Sequence, residues 1–247
     1  LPLWFDNEDG EFHFFGGDFP EDRYFWFDIL LFPEVFKALP NNITLYDINE
    51  YSVQGVSSTF PDYQTNFICD ESHYYVETSV MKEMNDYLKS YGKKHRKNLM
   101  HDLKGLEKLG VKAEWHRLAN YEEFVHFNVE RFGNESDFDD AVFVAQFKRM
   151  LECFNELKML YTVTLLLDNN VVGVMYAAHY RDVYYVLNGG YNRNVKNLGK
   201  RMVWEHITKG IELGAAKVDF LSGDTGWKQL WNFEKRPYYR FEKTVPL

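Results

Sequence analysis

Between residues 161 and 221 the chain alternates in a way that leaves few folds open. Strand-like runs at 161–167, 171–180 and 183–188 are separated by Asp168-Asn-Asn170 and Arg181-Asp182, short polar turns of the kind that close hairpins. A helical stretch over 199–213 follows, then a further strand at 216–221. A hairpin meander, one helix and one more strand make an α/β unit with a largely antiparallel, mixed sheet flanked by helices.

The sequence upstream supplies the flanking helices. Met81, Met84, Leu88 and Tyr91 recur at helical steps, and after Gly92 the stripe continues through Leu99, Leu103, Leu106 and Leu109. Gly110 ends that helix with Lys108 in its last turn. Residues 111–117 alternate as a strand, and helices are expected over 120–132 and 138–158, parted by Gly133-Asn-Glu-Ser-Asp137. Nearer the start, residues 3–15 read as a hairpin turning at Asp6–Gly10, Pro33–Leu39 as a short helix and Ile43–Ile48 as a strand. Residues 49–66, polar and Ser- and Gln-containing, read as a surface loop, which sets a boundary between a unit at 1–65 and one at 66–247. The chain starts at Leu1 without a basic leader, which reads as a fragment boundary or a processed end.

Composition narrows the function classes. At 45% hydrophobic and 18% aromatic the chain has ample apolar surface for a packed core. Its 28 Lys and Arg against 37 Asp and Glu give a net charge of −9, so binding to DNA or other polyphosphate requires a local basic patch, and no DNA partner is expected. Two distant cysteines, Cys69 and Cys153, indicate neither a disulfide framework nor a zinc site, which fits a cytoplasmic setting. No apolar run reaches the roughly 20 residues of a membrane span. The eight histidines show no metal-ligand spacing and most read as surface or half-buried, so no metal is expected. GxSxG, Walker A, GxGxxG and HExxH patterns are all absent.

Three clusters remain that suit chemistry. Asn192–Arg201 lies at the start of the helix after the meander. Free backbone N–H groups there, with Lys196, Lys200 and Arg201, suit a pyrophosphate, and Gly199 allows close approach; an ordinary solvated loop is the alternative. The second cluster is Asp219, Ser222, Gly223, Asp224 and Lys228. Asp224 is suited to orient or deprotonate an amine, or else to cap a turn; Lys228 is suited to an anionic substrate group, or else to pair with Asp224. Third, Lys93-Lys-His-Arg96-Lys97 opens a helix at the end that disfavours cations, which fits either a bound anion or a solvated face. Tyr184 and Tyr185, with Asn188-Gly-Gly190, either line a cleft or form a strand with one ring buried.

In order along the chain, Tyr91–Leu99 with its leucine stripe, the hairpin from Asp168 to Ala178, Tyr185, Leu198-Gly199, Asp219, Gly223-Asp224 and Lys228 with Trp231 resemble the CelD/BcsL-type acyltransferases. That family belongs to the GNAT superfamily and is related to the Fem aminoacyltransferases. The resemblance covers roughly residues 70–235; Trp227 stands where a Tyr is usual, and Met202 where a small residue or Leu is common. It implies a GNAT fold, with residues 1–65 as part of a first, incomplete GNAT-like unit. The implied reaction is acyl transfer from acyl-CoA such as acetyl-CoA, or from aminoacyl-tRNA, to an amine or hydroxyl of a small molecule, glycan or peptidoglycan precursor. The implied donor site is Asn197, Leu198, Gly199, Lys200 and Arg201, with Asp224 catalytic and Arg96, Tyr185 and Lys228 holding the acceptor. A binding protein that keeps the fold without chemistry is the competing class.

Overall fold

A computed structural model describes residues 3–5, 10, 12–14, 23–41, 43–223 and 226–243. The expected turn at 6–9 and the catalytic candidate Asp224 lie outside them. The chain divides into two units: residues 1–74, 221–230 and 234–247 form one, and 75–220 with 231–233 the other. The sequence places a boundary near 66, and it cannot foresee that the closing residues belong with the opening ones.

In the first unit β1 (Leu3–Phe5) and β2 (Phe12–Phe14) form the expected antiparallel hairpin. A short helix, α1 (Phe32–Ala38), leads to β3 (Ile43–Asn49), then α2 (Glu50–Thr59) and β4 (Phe67–Glu77), whose first residues belong here. The loop expected over 49–66 is thus a helix followed by a 3-10 turn at Pro61–Asn66. Asn49 caps α2 by accepting the Ser52 N–H, and Val53 and Val56 are buried. The Ser, Val and Gly content of α2 carries little helix propensity, so the helix rests on its cap and its buried face rather than on local preference. Phe32, Ile43, Leu45, Ile48, Val56 and Phe241 form the core of this unit.

The second unit begins with α3 (Met84–Leu88) and α4 (Lys93–Leu109). Next come β5 (Lys112–His116), α5 (Tyr121–Phe132) and α6 (Ala141–Glu156). The meander is β6 (Leu160–Leu167), β7 (Asn170–Tyr180) and β8 (Val183–Tyr191), followed by α7 (Leu198–Glu212) and β9 (Lys217–Asp219). The chain then returns to the first unit as β10 (Glu234–Lys243), paired with β3. Strands of the second unit run in the order β4, β9, β8, β7, β6, β5, and all neighbours are antiparallel except β8 and β9. The hairpin turns are as read from the sequence: Asp168, Asn169 and Arg181 all take positive φ.

Alternation along β7 sends side chains to two separate cores. Val174 and Tyr176 pack with Phe124 of α5 and Phe147 and Leu151 of α6, whereas Met175 packs with Leu198 and Met202 of α7 and Leu106 of α4. Val172 breaks this phase and joins the α7 side. The register explains it: Leu165 pairs with Gly173 and Leu166 with Val171, so Val172 is the extra residue of a bulge. Helix α7 approaches closely enough that a Cβ at Gly210 would lie 2.2 Å from Val218 Cγ2 on β9. Gly210→Ala is therefore expected to lower stability by about 1–3 kcal/mol despite the better helix propensity of alanine, measured by urea unfolding. An unchanged midpoint would show that α7 can move off the sheet.

Candidate active site

The strands β8 and β9 part company. Their parallel register covers only Val183–Lys217, Tyr184–Val218 and Tyr185–Asp219, and β8 then continues through residues 186–191 with no β9 residue beside it among those described. A bulge falls at the same place: Ala177 pairs with Val186 and Tyr176 with Asn188, leaving Leu187 as the extra residue. One edge of residues 186–191 therefore has no strand beside it among those described, and the bulge re-aims its backbone groups. The opposite constraint comes from α5. A Cβ at Gly190 would lie 2.8 Å from the Phe124 carbonyl oxygen and 2.9 Å from Asn128 Nδ2, so this strand admits the helix backbone only because Gly190 has no side chain. Asn128, buried, donates to that same Phe124 carbonyl.

Beyond β8, residues 192–197 turn into α7. Asn192 Oδ1 accepts the Asn194 N–H, and Asn197 occupies the left-handed region (φ 68°) without capping the helix through its side chain. The first-turn N–H groups of Leu198, Gly199 and Lys200 thus lack a side-chain cap and suit an anion. The cations expected to help are arranged otherwise. Lys200 Nζ lies 2.5 Å from Asp102, and Arg201 lies 3.3 Å from Glu107 and 2.7 Å from Glu205. Both side chains are therefore held by carboxylates of α4 and α7. Gly199 takes up the Tyr191 ring, whose Oη would lie 3.1 Å from an added Cβ. Arg193 and Lys196 of the loop are exposed. A cavity of about 390 Å³ opens beside the loop, lined by His101, Asp102, Gly105, Leu106 and Leu109 of α4 and by residues 194–197.

Tyr185 is half-buried on β8 opposite buried Asp219 on β9, whereas neighbouring Tyr184 is fully buried. Burial raises the Tyr184 hydroxyl well above its ordinary value, and it hydrogen-bonds His206 Nδ1 at 2.9 Å. Most histidines lie at or near the surface, as expected; His206 and His73 are the two buried ones, on the apolar face of α7 and on β4. Arg96 is exposed in the first turn of α4. In the first unit Lys228 is buried, and its ammonium donates to the carbonyls of Leu221 (3.0 Å) and Ser222 (2.7 Å) and faces the Tyr74 ring. Tyr185 thus faces Asp219 across β8 and β9, Gly199 packs on Tyr191 at the start of α7, and Lys228 of the other unit holds loop carbonyls. Sequence reading did not single out Asp102, Glu107, Asn128 or Leu187, whose roles depend on residues distant in the chain. Among the described residues no cluster of His, Cys, Asp or Glu is arranged for a metal ion, and no helix is long and apolar enough to cross a membrane.

Residues 93–229 match the family model described as an acetyltransferase (GNAT) domain. No curated protein sequence matches. Among solved structures, the crystal structure of FemX superposes with a TM-score of 0.64 at 12% identity, covering 99% of this chain and 89% of that one. The C-terminal domain of a putative lysylphosphatidylglycerol synthetase from Agrobacterium fabrum gives 0.60 at 8% identity, covering 87% and 72%. L-PGS from Bacillus licheniformis gives 0.56 at 14% identity, covering 88% and 72%. At these identities the likeness establishes the fold, an α/β architecture with a mixed sheet flanked by helices.

Proposed function

Because the chain belongs to the acetyltransferase (GNAT) domain family, we propose that it moves an acyl group from acyl-CoA to an amine or hydroxyl of a cell-envelope or polysaccharide precursor. The observation that carries this reading is the parting of β8 from β9 immediately ahead of α7. A thioester donor has amides along its pantetheine arm that can pair with the open edge of 186–191, and phosphates that suit the uncapped start of α7. In the reaction the acceptor's lone pair attacks the thioester carbonyl, the C–S bond breaks, the acceptor proton is lost to a base and the thiolate leaves. Positioning supplies much of the rate, with N–H groups of the bulged strand available to the developing oxyanion.

Within this reading Asp224 takes the acceptor proton or orients the acceptor, residues 197–201 meet the donor, and Arg96, Tyr185 and Lys228 serve the acceptor. The CelD/BcsL subtype, a first GNAT-like unit at residues 1–65 and a cytoplasmic site of reaction belong to the same proposal. A second reading, an aminoacyl-tRNA donor, is favoured by the carboxylates on Lys200 and Arg201, which leave less positive charge for a pyrophosphate. The fold shared with lysylphosphatidylglycerol synthetases agrees with it.

Calorimetric titration with acetyl-CoA decides between the donors. Saturable binding is expected, weakened about tenfold or more in the double variant Arg193→Glu/Lys196→Glu, since each tenfold step corresponds to about 1.4 kcal/mol of lost phosphate contact. Absence of binding by the unaltered protein would overturn the acyl-CoA reading.

A further inference from the structure

Helix α4 separates its charges by face. It carries six Lys and Arg residues and two carboxylates, and both carboxylates, Asp102 and Glu107, are drawn to Lys200 and Arg201 of α7. Lys94, Lys97, His101, Lys104 and Lys108 follow one another at steps of three and four, and all five are exposed. They form one straight row about 21 Å long. Solvated helix faces ordinarily mix both signs along such a row. Here the four lysines lack a carboxylate within ion-pair distance among the described residues, and only His101 has one, Asp102 at 3.7 Å. This row stands on a chain whose net charge is −9, so an anionic surface repelled by the rest of the molecule meets attraction on this face.

We propose that the row on α4 docks the protein onto an anionic phospholipid surface. Three features favour a bilayer over a nucleic acid. The row is built of lysine and histidine without arginine, the residue whose planar fork suits phosphate and base recognition. It has no exposed Phe, Tyr or Trp ring on which a base could stack. A straight, convex line of point charges meets a plane along its whole length, and each lysine close to such a surface adds attraction. Leu103 and Leu106 of α4 are buried in the protein, so the helix lies against the lipid headgroups without entering the hydrocarbon.

Sedimentation with vesicles tests the proposal. The protein is expected to bind vesicles of phosphatidylcholine mixed equally with phosphatidylglycerol, not vesicles of phosphatidylcholine alone, and to be released by high salt. In Lys94→Gln/Lys97→Gln/Lys104→Gln/Lys108→Gln, which keeps helix propensity, the partition coefficient is expected to fall at least about a hundredfold. A melting curve confirms that this variant is folded; should it not be, the same four substitutions made singly must each weaken binding. Equal binding to neutral vesicles, no binding to anionic ones, or binding unaffected by the substitutions would overturn the proposal. So would RNA binding that needs these lysines while vesicles are ignored.

Discussion

Phe124→Ala is expected to lower unfolding stability by about 3–5 kcal/mol, the range for emptying a fully buried aromatic site. The ring is 0% exposed and touches Phe138, Phe147 and Tyr176, with centroids 4.8, 5.7 and 5.1 Å away. Those neighbours come from α6, the turn before it and β7, so no one element can collapse into the space without leaving another. The consequence reaches β8, because the carbonyl of the same residue bears on Gly190 and accepts from Asn128. Urea unfolding of the variant beside Leu157→Ala, at a 61% exposed position, measures the effect. A loss below about 1 kcal/mol would mean that the cluster repacks, and the account of α5 as the brace of β8 would fail.

Acid is expected to weaken the fold through His206. Its imidazole is fully buried, and burial pushes its pKa from 6.5 down to about 3, opposed by the nearby Met175 backbone. A depressed pKa in the folded state means that the unfolded chain takes up a proton first as pH falls. The stability this residue supports is therefore complete above pH 6.5 and drains away between about 6.5 and 3, by roughly 4–5 kcal/mol over the whole interval. His206→Gln removes the titration at a fixed cost in packing. The difference in unfolding free energy between the two proteins should shrink by about 1.4 kcal/mol for each pH unit below 6. Parallel pH profiles for the two proteins would show that His206 is protonated without penalty and that its pocket admits water.

Where the fold is set by neighbours in sequence, it could be read directly. The hairpin at Asp168–Asn170 needs residues that tolerate positive φ, and it has them; the leucine stripe of α4 ends on Gly110 in the left-handed conformation, as its sequence signals. Helix α2 escaped because its stability comes from the burial of Val53 and Val56, not from its polar composition. The candidate site divides the same way. That Tyr185 lies on a strand and that a helix begins at Leu198 was legible, since a strand, a glycine and a helix onset are local patterns. The ion pairs on Lys200 and Arg201 were not, because Asp102 and Glu107 lie 98 and 94 residues earlier. Lys228 illustrates how one pattern serves two ends: a lysine after a Gly-Asp turn suits an anion, yet its ammonium rests on two loop carbonyls.

The extra residue at Val172 bears on how this chain is aligned with others. Up to Val171 and from Gly173 onward, β7 follows two different phases, so a related sequence lacking the bulge must take its one-residue gap inside the strand. Placing the gap at the Asp168–Asn170 tip, where insertions are ordinarily tolerated, would slip residues 170–172 by one position and exchange the faces assigned to Val171 and Val172, while Gly173 onward stays in phase. At identities of 8–14% that single choice decides whether Val171 or Val172 is compared as the residue facing α7.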